Sequence, residues 1–386
     1  MQEKKVFVIG NNLIAEILSA ILADEFQVIK ISNENNDTKV PYYPNDINDG
    51  IMKQFLKDAE LTDKYEATKQ DVLFKIYTDY DEMTFNGGVS NFKQALIGKF
   101  PVYSEQIKEL FDIFYKIGSE WNSYIKNRFS ANASMFKTSA KYGMIEMKQI
   151  VRKFNLSEEI KDFICALLPK DDVTMSVFGG YLVTQAFDIN CMNLSLFDIL
   201  SENKRNNGIQ VDDINKFECK FVKDEDYIVD CRQSDNVERH GGYSKFWNNT
   251  GKMPLNTVLY FKSKSYWFHI WNNSIIQNGD FTWNVEYVFY DNETNVKIIE
   301  EKIRIIFDGD VKLYETYDDV KIAKQYGLPI VKGYNWAFNM KETLKDPMNL
   351  MRVPKGNVLS CEKWGYAWFS AAYYVRSILV SNAISE

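Results

Sequence analysis

At 386 residues the chain is longer than one compact core usually allows, so two or three lobes of ~100–200 residues each are expected. Its 45% apolar and 26% charged residues are those of a globular protein, and a net charge of −7 with scattered basic residues argues against a nucleic-acid surface. Five widely spaced cysteines without a CxxC pair, and only two histidines, argue against a disulfide framework and rule out a histidine-rich metal centre. They favour a reducing, cytoplasmic setting. No apolar run of ~18 residues is present to span a membrane. The 15% aromatic content predicts an aromatic-rich core or a ring-lined pocket, the core being the commoner cause.

Residues 6–9, VFVI, form a fully apolar run closed by Gly10, as in a parallel strand covered on both faces. From Leu13 to Asp24 the apolar residues recur at helical spacing, with alanine and serine between them, and a second strand is predicted at 27–31. Strand, glycine turn, helix and strand make the opening βαβ of a doubly wound sheet. The Asn-, Asp- and Pro-rich segment 33–50 reads as a loop. Helical patterns dominate from 51 to 193, the clearest at 104–125, and Ser157 before Glu158 and Glu159 reads as a helix N-cap. A further helix is expected at 195–203.

The pattern changes at Ile209. Strands are predicted at 209–214, 217–222 and 227–231, and a longer antiparallel region runs from 257 to 307, including 297–307. Within it Tyr266, Phe268 and Ile270 alternate with Trp267, His269 and Trp271, so a sheet covered on both faces is expected. A short strand at 357–360 and a helix at 367–381 close the chain.

A dinucleotide turn needs a first glycine for the tight bend, a second for backbone approach to the pyrophosphate, and a third for close helix–strand packing. Here the window reads Gly10-Asn11-Asn12-Leu13-Ile14-Ala15. Gly10 holds the first place, Ala15 stands in for the third, and Asn12 occupies the second, where a side chain crowds a diphosphate. Ser32 falls where the ribose-binding acid is expected, with Glu34 two residues on. Taken alone, the unit fits a nucleotide site and a βαβ that binds none equally well.

The layout resembles the flavin-containing amine oxidase and phytoene desaturase superfamily over most of the chain. LIGKFP at 96–101 and the helix after it look like the helical cap of desaturase-like members. The segments NNGI at 206–209 and DYIVD at 226–230 are similar to the return to the nucleotide domain, and GNVLSCE at 356–362 to the closing flavin motif. The family's Gly-Gly-Arg loop is absent from 33–49, and cysteine replaces glycine before Glu362.

The resemblance implies an α/β fold: an FAD/NAD(P)-binding Rossmann-like domain assembled from 1–65, 195–240 and 335–386, a helical cap at 66–194, and an antiparallel substrate sheet at 241–334. It implies FAD held by Gly10, Asn11, Asn12, Ala15, Ser32 and Glu362. Trp267, Trp364, Tyr366 and Trp368 are candidates for the substrate side, and His240, Trp364 and Tyr366 for catalysis. The implied activity is an FAD-dependent oxidoreductase acting on a C–N or C–C bond of a small organic substrate. Two alternatives stand beside it. One is a flavin-free scaffold with a protein partner, as in the Rab GDP-dissociation inhibitors. The other is a flavin-dependent isomerase or mutase without net redox; a homo-oligomer is compatible with each. His269, between two tryptophans on a strand, is expected to be a packed core histidine.

Overall fold

The computed structural model describes residues 4–10, 13–33, 51–62, 67–69, 72–127, 134–143, 145–168, 173–184, 186–187, 190–192, 200, 207–217, 226–231, 241–248, 257–275, 281–291, 293–307, 311–317, 350–352 and 364–385. In chain order its strands are β1 (Lys5–Ile9), β2 (Gln27–Ser32), β3 (Ala67–Lys69), β4 (Leu73–Tyr77), β5 (Glu82–Asn86), β6 (Asn190–Met192), β7 (Asn207–Gln210), β8 (Tyr227–Asp230), β9 (Gly241–Asn248), β10 (Thr257–Lys262), β11 (Tyr266–Ile275), β12 (Phe281–Phe289), β13 (Val311–Tyr317) and β14 (Leu350–Arg352). The helices are α1 (Leu13–Leu22), α2 (Ile51–Asp58), α3 (Val89–Lys99), α4 (Ser104–Lys126), α5 (Lys137–Tyr142), α6 (Ile150–Phe154), α7 (Glu158–Cys165), α8 (Met175–Thr184), α9 (Lys297–Phe307) and α10 (Trp364–Ser385).

Five strands form a wholly parallel sheet in the order β14-β8-β1-β2-β7. The apolar run of β1 lies at its centre, because only a strand flanked and covered on all sides can bury Val6, Phe7, Val8 and Ile9 together. Val6, Val8 and Val28 pack with Ala15 and Leu18 of α1, and Phe7, Ile9 and Ile31 pack on the opposite face with Ile214. The α1 layer is closed by α10. There the Tyr373 hydroxyl donates to Asp58 Oδ2 at 2.7 Å, and the Arg376 guanidinium is paired with Glu25. The predicted βαβ is therefore present, and the final helix covers the expected 367–381.

The second sheet has seven strands in the order β13-β9-β12-β11-β10-β4-β5, antiparallel throughout except for the parallel pair β10–β4. Both faces are covered, as the alternation of large residues implies. Val258, Tyr260 and Trp267 join the core that runs through the helices, whereas Leu259, Phe261, Phe268, Ile270 and Val285 form a second core with Ile299 and Ile303 of α9.

Two expectations fail here. Residues 297–307 are a helix, not a strand: Ile299 and Ile303 are buried one turn apart while Ile305 is 67% exposed, which is a 3.6-residue period. The isoleucines gave the segment its strand-like composition, but Asn295, whose Oδ1 accepts the Lys297 N–H at 3.0 Å, starts a helix. The stretch 51–193, expected to be helical, also contributes β4 and β5 to the large sheet. Their Phe74, Ile76, Met83 and Phe85 alternate inward, but five-residue strands between polar turns leave too short a period to read. The predicted strand at 209–214 is β7 followed by a 3-10 turn at Ile214–Lys216. The readings at 34–50, 218–222 and 357–360, and the helix at 195–203 apart from Leu200, lie outside the described residues.

On one face, at helical spacing, α4 buries Ile107, Leu110, Phe111, Phe114, Ile117 and Trp121. It crosses α8 where Gly118 faces Val183 and Gly180 faces Trp121, whose indole Nε1 donates to the Ser176 carbonyl at 3.1 Å. Phe74, Phe85, Phe92 and Phe187 form one aromatic cluster beneath α3. These rings build core. Asn155, at φ 52, ends α6 in the left-handed conformation that asparagine tolerates, and the Ser157 hydroxyl accepts the Ile160 N–H at 3.3 Å to start α7 as predicted.

The turn into α9 carries a pH-dependent term. Hydrogen bonds from Thr294, then Ser265, hold the Asp291 carboxyl down at about 2. A depressed folded-state value means that its contribution to stability is present above the ordinary carboxylate range and is lost as pH falls through about 2. The acid limb of thermal stability should therefore be steeper in the wild type than in Asp291→Asn, measured by melting curves across the acidic range.

Candidate dinucleotide site

The carboxyl ends of β1, β2, β7 and β8 meet at one edge of the parallel sheet. There the Gly10 N–H donates to Ile31 O at 3.1 Å, the Cys231 N–H to Ile9 O at 2.8 Å, and the Val211 N–H to Ser32 O at 2.8 Å. In open α/β sheets this edge, at the point where the strand order reverses, is where ligands bind. The switch lies between β1, whose next strand β2 is on one side, and β8 on the other.

Gly10 is required here by contact. A Cβ at this position would lie 2.9 Å from Cys231 Cβ and 3.2 Å from Ala15 Cβ. The glycine thus lets the end of β1, the end of β8 and the first turn of α1 converge, and Ala15, fully buried, is the small residue that the third fingerprint position demands. Cys231 was not foreseen. Its only sequence signal is a small residue directly after a strand that ends at the glycine edge. Burial, then the charge of Asp230, pushes its thiol well above the ordinary range, so it is a neutral packing group and not a nucleophile.

Ser32 ends β2 and is 8% exposed. On the same side of the sheet, Lys30 of β2 forms an ion pair with Glu16 in the first turn of α1, a second feature that the motif reading passed over. Asn11, Asn12, His240 and Glu362 lie outside the described residues. Trp364, Tyr366 and Trp368 lie in the first five residues of α10, with their side chains outside the described set.

Trp267 stands apart from this edge. It has no exposed surface, and its Nε1 donates to the Ala166 carbonyl at 2.8 Å, so in this structure it packs the large sheet against α7 and touches no open space for a substrate. His269 is 1% exposed and stacks on Tyr260 with ring centres 4.4 Å apart, the packed core histidine expected from its neighbours. Among the described residues no three ligating side chains gather as for a metal ion, and no helix is long and apolar enough to cross a membrane.

A parallel sheet with a glycine crossover, joined to a larger mixed sheet and a helical layer, defines the Rossmann-like α/β fold of FAD- and NAD(P)-binding proteins. An oxidoreductase from Methanosarcina mazei shares it across the whole molecule. It superposes with a TM-score of 0.59 at 13% identity, covering 97% of this chain and 100% of that one. Two flavoproteins are more distant. Aklavinone-11 hydroxylase, solved with FAD and aklavinone, has a TM-score of 0.40 at 10% identity over 82% of this chain and 53% of that one. A flavin-dependent halogenase from Xanthomonas campestris has 0.38 at 9% identity over 97% and 70%. No protein-family model and no curated protein matches the sequence.

Proposed function

We propose that the protein is an FAD-dependent oxidoreductase acting on a C–N or C–C bond of a small organic molecule. The observation that carries this reading is Gly10, where a side chain would strike both Cys231 and Ala15. A chain that used this βαβ only as packing could open that crossover by fractions of an ångström. The convergence of β1, β8 and α1 at Gly10 supports a turn of the dinucleotide-binding kind. The residues present fit the cofactor: backbone N–H groups at the start of α1 favour a diphosphate, Ala15 permits the close helix, and the Ser32 hydroxyl can bond a ribose hydroxyl.

When bound, FAD would supply the redox chemistry by accepting hydride equivalents, leaving the protein to bind and orient. Glu362 is proposed for the ribityl chain, Trp364, Tyr366 and Trp368 for the substrate side, and His240 for proton transfer. The purified protein should be yellow with the visible absorption of an oxidised flavin, or become so on incubation with FAD. Protein that stays colourless after incubation would end this reading.

One observation favours a second reading, a retained fold that no longer holds flavin: Asn12 stands where the second glycine belongs. Asn12→Gly separates the two. Tighter FAD binding in the variant would mark a weakened working site, and unchanged absence of binding a retired one.

A further inference from the structure

The geometry points to Glu16 as a specificity-determining residue: by holding the Lys30 ammonium it reserves the adenosine end of the site for an unphosphorylated ribose. This rests on the dinucleotide reading proposed above.

Side chains along a strand alternate, so Val28, Lys30 and Ser32 of β2 share a face. That face is the one toward α1, since Val28 packs in one core with Ala15 and Leu18, and Lys30 reaches Glu16. Lys30 therefore sits one strand repeat, roughly 7 Å, before Ser32, where the adenosine ribose is recognised in this fold. A carboxylate near that point selects a free 2′-hydroxyl, and a cation near it accommodates a 2′-phosphate. Here a cation is in place but neutralised. Both partners are largely covered, with side-chain exposures of 18% for Lys30 and 15% for Glu16, so the pair is poorly screened by water. Glu16 also lies in the first turn of α1, whose positive end attracts carboxylate and phosphate alike. Replacing its charge would leave an uncompensated ammonium beside a helix N-terminus, an arrangement suited to a dianionic 2′-phosphate.

The test is a binding titration with adenosine 5′-monophosphate and adenosine 2′,5′-bisphosphate. Wild-type protein should bind the bisphosphate no more tightly than the monophosphate. Glu16→Gln should bind the bisphosphate at least about tenfold more tightly than wild type does, with the gain weakening in salt, and Glu16→Gln/Lys30→Met should lose that gain. A wild type that already prefers the bisphosphate overturns the inference, and this comparison stands even if melting curves show the variant to be unfolded. A folded Glu16→Gln that binds the monophosphate as before but gains nothing for the bisphosphate also overturns it, leaving the dinucleotide reading intact. If the wild type binds neither ligand nor FAD, both fall together.

Discussion

Gly180→Val should lose at least ~3 kcal/mol of stability, the top of the usual range for overpacking a core. A Cβ on Gly180 would lie well inside 3.0 Å of the Trp121 ring. That ring has nowhere to go. It is 2% exposed, its Nε1 is bonded to Ser176 O, and it sits edge-on to Tyr124 and Phe136 at 5.6 and 5.5 Å. The facing Gly118 is equally constrained against Val183, so α4 and α8 must separate to admit any side chain, and the aromatic core between them would open. Gly98 of α3 is the control, because nothing lies within 4 Å of a Cβ built there. Gly98→Ala should instead gain ~0.5–1 kcal/mol by restricting the unfolded chain and favouring helix. Urea denaturation of the pair measures both, with opposite signs expected. A Gly180→Val protein as stable as the wild type would mean that the two helices do not cross as described.

The second large effect is at the carboxyl edge of the parallel sheet. Gly10→Ala places a methyl 2.9 Å from Cys231 Cβ and 3.2 Å from Ala15 Cβ, and both neighbours are anchored close to backbone. The ends of β1 and β8 must part. The expected cost is ~1–3 kcal/mol of stability, and the FAD binding proposed for this edge should be lost with it. Removing the nearer obstacle tests the cause: Gly10→Ala/Cys231→Gly should recover part of the stability lost in Gly10→Ala. The Ala15 contact remains, so full recovery is not expected. A double variant no better than the sum of two single losses would show that Cys231 is not what Gly10 accommodates.

These two glycines mark how unevenly the molecule can be read from its residues. The first βαβ was legible because VFVI and the α1 stripe are long, apolar and periodic, and because Gly10 falls at the bend. The crossing of α4 and α8 was not, since a glycine inside a helical pattern says nothing about which distant residue fills the space above it. The aromatic alternation at 266–271 disclosed a sheet covered on both faces. Alternation alone does not distinguish a pocket wall from a core, and Trp267, a substrate-side candidate by its sequence, spends its N–H on Ala166 O. At α9, isoleucine content outweighed a helical period that the exposed Ile305 now makes plain. At the site, neither Cys231 nor the Glu16–Lys30 pair carries a motif: the first is defined by Gly10 at the end of the neighbouring strand, the second by a contact between α1 and β2.

The closure of the parallel sheet also bears on how the protein is made. Lys5 N–H is bonded to Asp226 Oδ1, 221 residues away, Tyr373 meets Asp58 across 315 positions, and Arg376 meets Glu25 across 351. At synthesis rates of about 5–20 residues per second, β1 emerges from the ribosome roughly ten seconds or more before β8 can pair with it, and α1 waits longer still for α10. Throughout that interval β1, with β2 on one side, keeps the apolar edge meant for β8 open to other nascent chains. The parallel sheet is thus completed only when segments far along the chain arrive, and its yield in the cell is expected to depend on whatever shields VFVI until then.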